Sequence, residues 1–309
     1  MKYGNVPGVN KPVSRVVLGS SMLDATRLPY SFALLDYFHS NGGNCIDTAA
    51  IYGFGKAEQA LGEWITHRGV RDDLVLIGKG ACSTSCTPDL VTSELDESLD
   101  RLQTDYVDIY LMHRDNPGVP AGEFVEGLNE RLRAGRIRAF GGSNWTTERI
   151  AEANAYAAAH NLVGFTASSP NFSLGLWNEA TVADCLTAAD LATRLWYESH
   201  DVALFAWSSQ AQGFFTGRYR PEHRDRPDIA DIVRVWFNDD NFRRLARAQE
   251  LAAAKGGTPN QIALAYVLCQ SINIFAIIGS RTIEQIRTSL LALDLSLTPA
   301  DLRYLNLEG

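Results

Sequence analysis

Short apolar runs alternate with amphipathic stretches along the whole chain, and this alternation predicts the architecture. VVLG (16–19), NCIDTA (44–49), LVLIGKG (74–80), YVDIYLMH (106–113), IRAFGGS (137–143), VGFTASS (163–169), VALFAWS (202–208) and IFAIIGS (274–280) read as eight strands. They are near-continuous apolar runs, as expected of strands covered on both faces. Between them the apolar positions recur at helical spacing. SFALLDYFHSNGG ends at a glycine pair, and TPDLVTSELDESLDRLQ opens with a threonine cap and a proline at its first position. Further helices are expected at 56–68, 121–135, 146–161, near 186–199, from about 240 to 270, and over RTIEQIRTSLLAL.

Eight strand–helix units without a composition break predict a closed (β/α)8 TIM barrel, one α/β domain over 1–309. Residues 1–15 suit a short N-terminal β-hairpin closing the barrel bottom, and TPADLRYLNL adds a C-terminal helix. The stretch 209–240 is the longest irregular one. It leaves the C-terminal mouth after strand seven, and loops that long are usually functional.

Composition narrows the function. The 309 residues are 46% hydrophobic, with 28 Lys+Arg against 36 Asp+Glu, a net charge of −8. An acidic chain is poorly suited to sequence-independent nucleic-acid binding. No apolar run reaches transmembrane length, and the first residues lack a secretory apolar core, so no membrane contact and a cytoplasmic location are expected. Five irregularly spaced cysteines fit free thiols in a reducing compartment. Cys82 and Cys86 lack the partners of a zinc site, so no metal is expected.

Barrel active sites lie at the C-terminal ends of strands. That filter collects Asp47 with Tyr52 in the loop beyond it, Lys79, His113, Ser143, Asn144, Ser168, Ser169, Trp207, Ser208, Gly279, Ser280 and Arg281. The first four form a chemical set. A buried Lys79 favours the Tyr52 phenolate and would lower that phenol's pKa, with Asp47 as counter-ion. Neutral His113 orients a carbonyl oxygen or relays a proton. Tyr52 is then a general acid for carbonyl reduction and a base in reverse. Tyr52 and Lys56 also spell Y-x-x-x-K, the dyad of short-chain dehydrogenases. Gly53, Phe54 and Gly55 between them are poor helix material, and no G-x-G-x-x-G follows any strand, so the pair chosen is Tyr52–Lys79.

These residues resemble the aldo-keto reductases over nearly the whole chain. The matching pieces are NCIDTAAIYG, IGKG, YVDIYLMH, GGSNW, AWSSQAQGFFTG and IIGSRTIEQ. The resemblance implies an NADP(H)-dependent oxidoreductase, with NAD as the other possibility, acting on a small-molecule aldehyde or ketone, a sugar-derived carbonyl among them. Asp47, Tyr52, Lys79 and His113 match the family's tetrad. Ser143 and Asn144 match the residues that hold the nicotinamide carboxamide, and Trp207 replaces the usual stacking tyrosine. Ser208, Gln210 and Gly213 match the pyrophosphate stretch, with Arg218 beside it. Gly279, Ser280, Arg281 and Gln285 match the adenosine segment, and Ser21 and Met22 flank the same cofactor. Arg281 suits a 2′-phosphate, which favours NADP. Three departures stand out: Ser169 replaces a glutamine, Thr288 and Ser289 replace an acidic–asparagine pair, and tryptophan replaces tyrosine at 207.

The substrate-pocket candidates are Met22, Phe54, His113, Trp145, Trp177, Trp236 and Phe237. Arg114 and Asp115 suit a hydroxylated substrate but read more simply as solvated loop residues. Two other functions use the same residues: a sugar or polyol dehydrogenase running oxidatively, and a cofactor-binding regulatory subunit like the channel-associated β subunits of the superfamily. A monomer or weak homo-oligomer is expected.

Overall fold

The computed structural model describes residues 1–308. Eight parallel strands close into a barrel: β3 (Val16–Gly19), β4 (Cys45–Asp47), β5 (Val75–Gly80), β6 (Val107–Met112), β7 (Ile137–Ser143), β8 (Ala167–Ser169), β9 (Ala203–Ala206) and β10 (Ile274–Ile278). They pair in chain order, and β10 returns to β3 to close the ring. Before them β1 (Tyr3–Gly4) and β2 (Val13–Ser14) form an antiparallel hairpin. Its Val6, Val9 and Val13 pack with Val17, Val75, Ile109 and Phe275 inside the barrel, so the hairpin seals the bottom as expected.

The period of two along each strand places the site. Cys45, Val75, Ile77, Ile109, Leu111, Ala139, Ala167, Ala203, Phe205, Phe275 and Ile277 point inward, whereas Ile46, Leu76, Tyr110, Met112 and Phe140 meet the surrounding helices. Continuing each inward series by two residues reaches Asp47, Lys79, His113, Ser169, Trp207 and Gly279, and from Ala139 by way of Gly141 it reaches Ser143. The polar mouth is therefore the last turn of the same alternation that fills the barrel with apolar side chains.

The helices follow their caps. α1 (Leu28–Ser40), α2 (Lys56–Arg68), α3 (Pro88–Leu102), α4 (Ala121–Arg133) and α5 (Thr147–Ala159) cover the first half of the barrel. Thr87 accepts from the Leu90 N–H at 3.4 Å at the start of α3, with Pro88 in its first turn. Four expectations need correction. Strand six begins only at Ala167. The helix expected near 186–199 is α6 (Leu191–Ser199), capped by Asp190, and residues 170–190 before it are an irregular loop. That loop is tied to Asn171, whose N–H donates to the Leu186 carbonyl and whose own carbonyl accepts from the Ala188 N–H, both at 2.8 Å. Strand seven stops at Ala206, because Ser208 turns to a left-handed φ of 49°. The stretch 209–240 is wound into short 3-10 turns and α7 (Ala230–Trp236) rather than left irregular. Beyond it α8 (Asp239–Lys255) and α9 (Pro259–Leu268) are split at Gly256, φ 77°, and α10 (Ile283–Leu290) and α11 (Pro299–Leu305) complete the chain. Among the described residues no helix is long and apolar enough to cross a membrane.

Candidate active site

Asp47, Lys79, Tyr52 and His113 meet at the mouth. Lys79 Nζ and Asp47 Oδ1 form a buried ion pair, with side-chain exposures of 3% and 4%. Lys79 Nζ lies 5.2 Å from the centre of the Tyr52 ring, and the Tyr52 and His113 rings stand edge to face with centroids 6.0 Å apart. Lys56 is exposed at the first position of α2. Gly53 and Phe54 are left-handed, with φ of 58° and 56°, so no regular helix joins Tyr52 to Lys56. The structure pairs Tyr52 with Lys79.

Burial pulls the Lys79 ammonium down, but Asp47 and Tyr52 outweigh it and hold the group above its ordinary value. It is a permanent cation. Tyr52 corrects an expectation. Burial pushes its phenol above 10, and the nearby Lys79 charge offsets only part of that rise. The phenol is therefore fully protonated at neutral pH, and Lys79 acts by moderating the cost of the phenolate rather than by making it prevalent. His113 is driven down to about 3, first by burial and then by Lys79 and Arg114, so it is neutral. Its buried Nδ1 finds no partner in the protein.

The opposite wall comes from β7 to β10. Ser143 Oγ donates to the Ser169 carbonyl at 2.8 Å, and Asn144 Nδ2 donates to Ser143 Oγ at 3.1 Å. Asn144 is left-handed, φ 59°, and its Oδ1 accepts from the Leu186 N–H at 3.1 Å, so the 170–190 loop reaches over the mouth. Sequence reasoning missed this contact, because nothing in residues 181–187 marks a partner forty positions earlier. Ser169 Oγ donates to the Phe205 carbonyl at 2.8 Å and is committed to the neighbouring strand. Trp207 is half-buried and lies 5.5 Å from Trp177, tilted by 41°. Both indole N–H groups lack protein partners.

Beyond β9, Ser208, Ala211, Gln212 and Gly213 have φ of 49°, 46°, 51° and 80°. Left-handed non-glycine residues are costly and cluster at ligand clamps, where such turns aim backbone N–H groups at anions. Gln210 Nε2 donates to Ser289 Oγ at 3.2 Å, joining this turn to α10. Arg218 lies over the Tyr219 ring at 4.7 Å and is exposed. After β10, Gly279 is exposed, and a Cβ there would meet nothing within 4 Å. Ser280 is buried behind it. Arg281 is exposed, its N–H donates to Gln285 Oε1 at 2.6 Å, and its Nε donates to Met22 Sδ at 3.2 Å. Exposed Ser21 adjoins Met22. An open glycine edge, a clamp turn and an exposed guanidinium along one rim fit an elongated phosphate-bearing group.

Several pocket candidates lie elsewhere. Trp145 is 2% exposed and packs against Phe124 and Phe165, with centroids 6.0 and 4.9 Å away, behind Gly142 on the outer face of β7. Trp236 is fully buried, donates to Gln212 Oε1 at 3.1 Å and backs Trp177 rather than facing the mouth. Phe237 is 3% exposed, between Phe214 and Phe242. Phe54 is 97% exposed in the turn after Tyr52, and Met22 sits with Arg281 on the β10 side. Of the candidates, Trp177 and His113 face the mouth.

The sequence model of the aldo/keto reductase family matches residues 15–306. The chain is similar to the uncharacterized oxidoreductase YrpG of Bacillus subtilis, 27% identical over 99% of this chain and 95% of that one. It is also similar to norsolorinic acid reductase B of Aspergillus parasiticus, 30% identical over 87% of this chain and 71% of the other. Among solved structures, an aldo/keto reductase from Klebsiella pneumoniae in complex with NADP and acetate superposes with a TM-score of 0.71 at 26% identity, covering 96% of this chain and 91% of that one.

Proposed function

As this chain belongs to the aldo/keto reductase family, we propose that it reduces an aldehyde or ketone to an alcohol with NADPH, and that Tyr52 is the general acid. The observation that carries this reading is the buried Asp47–Lys79 ion pair set beneath the Tyr52 phenol and beside a neutral His113. When bound, the nicotinamide supplies hydride. The chain supplies the rest. His113, neutral across the physiological range, donates a hydrogen bond to the carbonyl oxygen and directs it toward the phenol. Tyr52 transfers its proton to that oxygen as negative charge develops there. The phenolate left behind is stabilised by Lys79, whose charge Asp47 retains. A phenol protonated at neutral pH suits the reductive direction.

Asn144 and Ser143 would hold the carboxamide, Trp207 would stack on the nicotinamide ring, and the 208–213 turn would hold the pyrophosphate. Arg281 would meet a 2′-phosphate, which its exposed guanidinium suits better than a bare ribose. NADP in the Klebsiella pneumoniae relative supports that choice. The test is a panel of aldehydes and ketones offered with NADPH and NADH side by side. Carbonyl-dependent oxidation of NADPH, slower with NADH, is expected. Failure to oxidise either cofactor across aliphatic, aromatic and acidic carbonyls would defeat the reading.

A further inference from the structure

Among the described residues Arg114 forms no ion pair. It follows His113 at the mouth and is half-buried. One end of its guanidinium donates to the His113 carbonyl at 2.8 Å and the other to Cys185 Sγ at 3.3 Å. Neither partner is charged, since burial keeps the Cys185 thiol above its ordinary pKa despite the pull of Arg114. The adjacent acid, Asp115, is taken by Arg149 at 3.1 Å, and Glu94 Oε2 accepts the Ala81 N–H at 2.5 Å. Among the described residues no acidic side chain forms an ion pair with Arg114.

Its position separates it from the groups that suit a dinucleotide. Arg218 and Arg281 follow β9 and β10, across the mouth. Arg114 lies beside the proton donor's wall and reaches Cys185 in the loop that closes over Asn144. A partly buried cation without a counter-ion is costly, and an anionic ligand removes that cost. The planar fork of a guanidinium matches two oxygens of a carboxylate or phosphate.

We propose that Arg114 receives an anionic oxygen group, a carboxylate or a phosphate, carried by the carbonyl substrate, so that the preferred substrates are acidic carbonyl compounds rather than neutral ones. The carbonyl half of this statement rests on the reductase reading; the anion site does not. Wild-type protein, R114Q and R114K are compared with NADPH on two matched pairs: 4-carboxybenzaldehyde with its methyl ester, and glyceraldehyde 3-phosphate with glyceraldehyde. In the wild type the charged member of at least one pair should lead in kcat/KM by roughly 10- to 100-fold, the scale of a charge-assisted hydrogen bond. R114Q should bring that ratio close to one, and R114K should keep part of it. The pair that responds identifies carboxylate or phosphate as the source. A wild type indifferent to charge, or an R114Q protein that keeps the preference, would overturn the proposal. Binding of benzoate, inorganic phosphate and neutral benzamide to the NADP-saturated proteins, followed by tryptophan fluorescence, needs no turnover. Weaker anion binding in R114Q with benzamide unchanged supports the site even if no carbonyl is reduced, in which case the reductase reading fails alone. Equal anion binding in both proteins contradicts the site.

Discussion

Removing the Lys79 ammonium without replacing its volume by water tests the buried pair. In K79M, Asp47 remains inside the barrel with no cation. An isolated buried carboxylate takes up a proton instead. Moving Asp47 from an unfolded pKa of about 3.9 to neutrality at pH 7 costs about 4 kcal/mol, at roughly 1.4 kcal/mol per pH unit. That falls in the range of about 3–5 kcal/mol for breaking a buried pair by removing one partner. The sign follows from linkage. In the variant the folded state holds a proton that the unfolded state has released, so folding stability declines as pH rises above about 4. Burial already raises Asp47 in the wild type and Lys79 offsets only part of that rise, so the deficit against wild type should reach at most about 4 kcal/mol at pH 7 and be clearly smaller at pH 5. Thermal melts of both proteins at the two pH values read this difference, and turnover should be lost at both. D47L/K79M, with an apolar pair in place of the ions, should recover most of the stability and none of the activity. K56M, altered at the exposed end of α2, should match wild type in both. A deficit equal at pH 5 and pH 7, or a stable and active K79M, would refute the reasoning.

Three further outcomes follow from the geometry. His113 should show no imidazole titration by NMR between pH 5 and 8, because its folded pKa is about 3. Its unfolded value is near 6.5, so the stability it contributes is complete above about 6.5 and falls as pH drops below it; a folded midpoint near 6.5 would contradict the burial argument. R281Q should lower the preference for NADPH over NADH by roughly 10- to 100-fold, the worth of a charge-assisted bond to phosphate. Unchanged selectivity in parallel kinetics would remove Arg281 from that role. N144A loses the Leu186 and Ser143 contacts and should raise the KM for the nicotinamide cofactor more than that for the carbonyl; a rise confined to the carbonyl would contradict its place in the site.

The barrel and three of the four clustered mouth residues, Asp47, Lys79 and His113, were legible because one periodicity writes both, whereas Tyr52 comes from the turn after β4. Inward parity runs from Val75 and Ile77 to Lys79, and from Ile109 and Leu111 to His113, so a polar residue ending such a series points into the mouth. Trp145 was misread because it stands two residues past the end of β7, behind Gly142, where parity no longer applies. Trp236 lies in the long stretch after β9, whose aromatic residues bury against one another in an order that no local pattern encodes. The direction of the Tyr52 shift depends on how completely the phenol is buried, which the Lys79 match alone does not determine. Arg114 read as solvated because its thiol partner, Cys185, comes from a loop 71 positions away.

The central claim is that the Tyr52 phenol gives its proton to the carbonyl oxygen. The most direct measurement is single-turnover oxidation of bound NADPH by an aldehyde that the wild type reduces, repeated with Y52F. Loss of the single hydroxyl should slow the step by about 10²- to 10⁴-fold, the usual contribution of a positioned acid, while NADPH binds as in the wild type. A Y52F protein that reduces the aldehyde at the wild-type rate would contradict the account.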